Sequence, residues 1–189
     1  MMSYPAIIKD KYGIFHGSMP CVYLKTGNGG TIYGHDGKYY EIAKAVNETT
    51  GRFVCVASNP VDEDCDLVEE IAGLQAVYPE VCEIIYIGYS NGAYVGAQQA
   101  WKVSIIKHAL LINAPLMINF FRTKEGAEKF KGEQMMFIYG DKDPSFQYFE
   151  LLELIENDLV QSFYVEGADH NFTGMQDKIE ELMLFYASL

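Results

Sequence analysis

This chain has no long apolar stretch. Its apolar runs reach about five to seven residues, far short of the ~18 needed for a membrane-spanning helix. From Met1 to Gly13 there is neither the apolar core nor the small-residue cleavage site of a secretory signal. Cysteine is scarce: only Cys21, Cys55, Cys65 and Cys82 are present, and no two form a C-x-x-C pair. No His or Cys cluster has metal-ligand spacing, so neither metal nor cofactor is expected. With no export signal, the expectation is reduced, mostly buried thiols in a cytoplasmic protein. Positive charge is also short. Lys and Arg number 14 against 26 Asp and Glu, giving a net charge of −12 and a pI of about 4.7. Such a field repels phosphate backbones, which argues against nucleic acid and anionic membrane surfaces as partners. Repeats, low-complexity segments and Pro/Gly-rich linkers are all missing, so one domain over 1–189 is expected, of unknown oligomeric state.

What is present is enough apolar material for a sizeable core: 49% hydrophobic residues and 14% aromatic. Charged residues, at 21%, are well mixed, which argues against disorder. Short apolar runs alternate with helical stretches. Ala6–Ile8 and Tyr12–His16 suit a hairpin, and Pro20–Lys25 reads as a strand entering a glycine-rich loop, Gly27 to Gly37. Tyr39–Thr49 spaces Ile42, Ala45 and Val46 as a helix does, and Gly51 is a natural stop. Phe53–Ala57 is a strand. Asp66–Tyr78 carries Leu67, Ile71 and Leu74 on one helical face and ends before Pro79. Then follow a strand at Glu83–Ile87, a helix of small residues at Asn91–Trp101, and strands at Ala109–Asn113 and Met135–Tyr139. A helix at Phe149–Ile155, a strand at Gln161–Val165 and a helix at Ile179–Tyr186 complete the chain. Strands separated by helices imply βαβ units: a mainly parallel, twisted α/β sheet with helices on both faces. The nearly all-apolar run Glu83–Ile87 fits a strand covered on both sides. In such sheets ligands bind just beyond the carboxyl ends of the strands.

One motif sits at such a strand end. Gly88-Tyr89-Ser90-Asn91-Gly92 is a G-x-S-x-G between an apolar strand and a helix containing Ala93, Gly96 and Ala97. A sharp strand-to-helix turn can hold a serine in a strained conformation with its hydroxyl exposed. The glycines two before and two after let strand and helix backbones approach. The helix N-terminus lends positive potential to an oxyanion. The bland alternative is an ordinary βα turn with Ser90 as a helix cap.

From roughly Cys21 to the C-terminus the chain resembles the α/β-hydrolase family, and Gly88-Tyr89-Ser90-Asn91-Gly92-Ala93 is similar to the elbows of bacterial carboxylesterases. The resemblance implies Ser90 as nucleophile and a triad in the order serine, acid, histidine. Of His16, His35, His108 and His170, only the last two follow Ser90. His108 precedes any candidate acid, so the order leaves His170, in Gly167-Ala168-Asp169-His170. The family's G-x-x-D, matched by Gly140-Asp141-Lys142-Asp143, puts the acid at Asp143. Asp141 is then expected to order the turn, and Asp169, adjacent to His170, is a weaker competitor. Of the two oxyanion amides, one is expected from Asn91, the residue after the nucleophile. The resemblance places the other at Asn28 in Thr26-Gly27-Asn28-Gly29-Gly30, where the family's usual histidine is replaced by Thr26. A phosphate-loop reading of these glycines lacks both Gly-Lys-Ser/Thr and G-x-G-x-x-G.

The connection from Pro115 to Gln134 is too short for a separate lid domain. Its apolar residues Leu116, Met117, Phe120 and Phe121 are candidates for an acyl- or alcohol-binding rim, or equally for packing the following helix on the sheet. Tyr33 and His35 either line the cleft or lie on the surface. The combined expectation is a compact, metal-independent serine hydrolase acting on a small-molecule carboxylic ester or thioester. Amide hydrolysis or acyl transfer by the same triad, and a non-catalytic scaffold that binds without turnover, are the alternatives.

Overall fold

The computed structural model describes residues 2–61 and 64–189. Strands β1 (Ala6–Ile8) and β2 (Tyr12–Phe15) form the expected hairpin. After β3 (Ser18–Lys25) the chain alternates helix and strand: α1 (Lys38–Thr50), β4 (Arg52–Ala57), α2 (Leu67–Val77), β5 (Ile84–Tyr89), α3 (Asn91–Gln99) and β6 (Ile106–Ile112). Then come α4 (Phe120–Lys129), β7 (Gln134–Gly140), β8 (Val160–Val165) and α5 (Gln176–Ala187). All eight strands join one sheet in the order β1-β2-β4-β3-β5-β6-β7-β8. The β1–β2 and β2–β4 pairs are antiparallel, and every other pair is parallel.

Side-chain alternation divides the core in two. In β5, Ile84 and Tyr86 join the cluster under α2, α3 and α4, while Ile85, Ile87 and Tyr89 join the cluster under α1 and α5. A strand buried on both faces has no polar positions to spare, which is why this segment is a continuous apolar run. Helix α2 starts where Asp66 Oδ1 accepts from the Val68 and Glu69 N–H groups (2.9 and 3.3 Å) and buries Leu67, Ile71 and Leu74. Helix α1 ends at Gly51, whose φ of 67° suits glycine at a helix stop. One buried charge needs a partner. Lys25 is 1% exposed in β3, and its Nζ donates to both Glu70 oxygens (2.6 and 2.9 Å) and to the Ser58 carbonyl (2.8 Å).

Two elements depart from expectation. Strand β6 begins at Ile106, so His108 lies within it, with Nε2 3.4 Å from a Glu133 oxygen. The helix expected at Phe149–Ile155 is a run of 3₁₀ turns over Pro144–Leu154. Phe146, Phe149 and Leu152 recur every third residue, the period of the 3₁₀ helix, and the first two rings stack at 5.2 Å. No separate lid domain lies between β6 and β7; that connection carries α4.

The strand order turns back at β3, which lies between β4 and β5. The helices leaving β3 and β5 diverge there, opening a crevice at the carboxyl ends of both strands. The residues beyond those ends are Thr26-Gly27-Asn28 and Ser90-Asn91.

Candidate active site

The glycines around Ser90 are dictated by contact. A Cβ on Gly88 would lie 2.5 Å from the Gly92 carbonyl oxygen; one on Gly92 would lie 2.3 Å from that of Lys25. Only hydrogen fits where β5, α3 and the end of β3 meet. Between them Ser90 has φ 54° and ψ −117°, a strained combination for a residue with a side chain. Its N–H donates to the Ile112 carbonyl at 2.8 Å, tying the turn to β6. The capping alternative fails on a direct point: Ser90 makes no side-chain cap bond to α3.

The hydroxyl faces an imidazole instead. His170 Nε2 lies 3.0 Å from Ser90 Oγ, and His170 Nδ1 is hydrogen-bonded to Asp143 Oδ2. The Asp143 side chain is 1% exposed, whereas that of His170 is 39% exposed. The other Asp143 oxygen accepts from the Ser145 N–H (2.6 Å), so this residue also caps the 3₁₀ turns. Asp141 accepts from the Gly167 N–H (2.8 Å) and joins the two loops. Asp169 Oδ1 accepts from the Asn171 and Thr173 N–H groups (3.0 and 2.9 Å); the bond to Thr173 in particular holds its carboxyl below the usual range. Ser90, His170 and Asp143 are thus brought together, while Asp141 and Asp169 order loops. His35 is almost fully exposed beside Asp36, His16 packs on Phe53 and Tyr78, and Tyr33 packs against Tyr4 and Tyr40.

The loop after β3 abuts the nucleophile. A Cβ on Gly27 would lie 3.3 Å from Ser90 Cβ. The Gly27 N–H donates to the Tyr39 hydroxyl (3.2 Å). The next amide, Asn28, has no acceptor among the described residues. Asn91 opens α3, where an N–H has no preceding turn to bond. The residues Asn28 and Asn91 border a cavity of about 430 Å³ that runs along α3 past Tyr94 to Gln98 and Arg122. Cys65 also borders it, but burial pushes that thiol up to about 12, so it stays protonated and is no rival nucleophile.

The expected rim residues cluster at the start of the β6–β7 connection. Leu116 is buried in the core at 1% exposure. With Leu116, the residues Met117, Phe120 and Phe121 border a second groove of about 420 Å³ beside Tyr148 and Leu151; no triad candidate is among the residues lining this groove or the cavity at Asn28 and Asn91. Phe121 is 83% exposed.

Four further residues hold this arrangement. Asn113, fully buried with φ 51° at the end of β6, donates from Nδ2 to the His170 carbonyl (2.9 Å) and accepts at Oδ1 from the Gly140 N–H (2.9 Å). The Tyr89 hydroxyl also donates to the His170 carbonyl. Asn59, just beyond β4, donates to the Thr26 carbonyl (3.1 Å) and to Asn91 Oδ1 (2.9 Å). Tyr39 holds Gly27. Asn59, Tyr89 and Asn113 sit at or just beyond strand ends, the signal by which they could have been found.

Solved structures repeat this architecture. Est1E from Butyrivibrio proteoclasticus aligns over 93% of this chain and 91% of its own, at 14% identity and TM-score 0.71. This is the α/β-hydrolase fold. A monoacylglycerol lipase of Paleococcus ferrophilus covers 93% of this chain and 98% of its own (15% identity, TM-score 0.68). An α/β serine hydrolase homologue from Coxiella burnetii covers 92% and 89% (16% identity, TM-score 0.69). No protein-family model and no curated protein sequence matches the chain. An α/β-hydrolase fold supports many chemistries, so the reaction has to be argued from the site. Among the described residues no helix is long and apolar enough to cross a membrane.

Proposed function

We propose that this chain is a serine hydrolase that cleaves a carboxylic ester or thioester through an acyl-enzyme on Ser90. The observation that carries the reading is one imidazole joined to Ser90 Oγ through Nε2 and to a buried carboxylate through Nδ1. Asp143 fixes the tautomer with its proton on Nδ1, leaving Nε2 free to accept. As Ser90 Oγ bonds to the carbonyl carbon, its proton passes to His170 Nε2, and Asp143 stabilises the imidazolium. The carbonyl oxygen becomes an oxyanion facing the Asn28 and Asn91 amides, at the positive end of α3. Collapse of the tetrahedral species breaks the bond to the alcohol or thiol, which takes the proton from His170. Water then repeats the sequence on the acyl-enzyme and releases the acid. No step needs a metal ion or cofactor. Amide cleavage and acyl transfer would use the same groups.

The test is covalent labelling. A fluorophosphonate should attach at Ser90, and Ser90→Ala should abolish both labelling and p-nitrophenyl acetate hydrolysis while the protein stays folded. Failure of the wild-type protein to label would favour a binding scaffold that never turns over.

A further inference from the structure

The cavity bordered by Asn28 and Asn91, the residues of the two candidate oxyanion amides, has a largely polar wall. Asn28, Asn59, Asn91, Gln98 and Arg122 line it, with Tyr94 the aromatic contributor. The apolar groove at Met117 and Phe121 is elsewhere, and a chain running along α3 from Asn91 meets mostly amide side chains, with Pro60, Val61 and Val95 the aliphatic exceptions. Gln98 lies seven residues beyond Asn91. At about 1.5 Å per residue, the cavity reaches roughly 10 Å from the oxyanion amides to its far end.

Two groups at that far end lack partners. Gln98 Nε2 is buried with no acceptor among the described residues. A buried N–H group left unpaired costs free energy that a ligand oxygen would recover. The Arg122 guanidinium makes no ion pair with a described residue, although its backbone N–H is engaged by Asn119. Both are donors without acceptors. Among the described residues that line the cavity, Arg122 is the one cation and Asp64 the one carboxylate, on a chain of net charge −12.

We propose that the cavity is the acyl site and that it selects a polar acyl chain ending in a carboxylate about 10 Å from the scissile carbonyl. The reaction would then be hydrolysis of a monoester or monothioester of a medium-length dicarboxylic acid. A planar guanidinium can hold a carboxylate through two parallel N–H bonds, a match that a neutral amide or a methyl group does not offer. The Gln98 amide supplies a third donor. Polar side chains along the wall leave a purely aliphatic chain with little gain in burial. This inference rests on the proposed serine hydrolase reading.

The experiment compares p-nitrophenyl esters of one length: the adipate monoester, its terminal amide, and hexanoate. The adipate monoester should have kcat/KM at least ~10-fold above hexanoate, with the amide between, and in Arg122→Gln the adipate-to-hexanoate ratio should fall to about one. Arg122 is exposed, so the variant should fold. Equal rates, a preference for hexanoate, or a ratio that Arg122→Gln leaves intact overturns the assignment. A second measurement separates the two readings. Adipate itself should bind Ser90→Ala protein, seen by calorimetry, and should not bind the Ser90→Ala, Arg122→Gln protein. Arg122-dependent adipate binding in a chain whose Ser90 resists fluorophosphonate would keep the site and discard the hydrolase. Labelling at Ser90 without adipate binding or preference would do the reverse.

Discussion

Asn59 and Asn113 stand just beyond β4 and β6, on opposite sides of the β3–β5 pair that carries the site. They fasten it differently. Asn113 bonds the backbone of both loops, at the His170 carbonyl and the Gly140 N–H, so it fixes the histidine loop against the start of the acid loop. Asn59 bonds one backbone carbonyl, of Thr26, and one side chain, of Asn91. The half that would move protons is therefore set by main-chain geometry, with Tyr89 as a second strap. In the half that would hold the oxyanion, the link from the loop of one candidate donor to the side chain of the other runs through the Asn59 side chain, beside backbone bonds joining Asn59 to Gly29 and Gly30. Substitution should disturb the first mostly by destabilising it and the second mostly by loosening it.

The largest effect should come from the proton-moving half. Asp143→Asn should lower kcat by up to ~10⁴-fold by favouring the wrong imidazole tautomer, while Asp141→Asn, which only weakens the bond from the Gly167 N–H that joins the two loops, should cost far less. Steady-state kinetics on p-nitrophenyl acetate decides; the reverse ranking would reassign the acid. Next are the two asparagines. Asn113→Ala leaves the Gly140 N–H buried without its partner, so stability should fall by about 1–3 kcal/mol in urea melts. Asn59→Ala should instead lower kcat about tenfold at constant KM, measured well below the melting temperature; losing an oxyanion donor outright costs more, ~10²–10³-fold. If Asn59→Ala shifts only the melting curve, its role is packing and the contrast with Asn113 disappears. The smallest effect is on chain length. From acetate to decanoate, kcat/KM should flatten after about six carbons, since each CH₂ left in water forgoes up to ~0.8 kcal/mol. A rise through decanoate would bring the groove at Met117 and Phe121 into play.

The sequence made the strand–helix alternation legible because burial on both sheet faces leaves long apolar runs and each major helix carries an apolar stripe. The elbow was legible because its glycines answer to backbone contacts that no other residue satisfies. His170 and Asp143 were reachable through the resemblance, which supplied their order. Asn59 and Asn113 were not, since an asparagine after a strand resembles any loop residue until its partners are known. Whether Leu116, Met117, Phe120 and Phe121 form a substrate rim was not legible for a related reason. Their position after β6 does not tell which way they point, and Leu116 turned into the core. The 3₁₀ run was read as an ordinary helix because its three-residue period was overlooked.

The left-handed φ of Ser90 has a consequence for heat tolerance. That conformation costs a side-chain-bearing residue about 1–3 kcal/mol, and glycine would adopt it freely. Ser90→Gly should therefore melt several degrees higher than the parent while losing the hydroxyl. A population of these chains selected only for survival on heating would tend to discard this serine, so its presence points to a different selection.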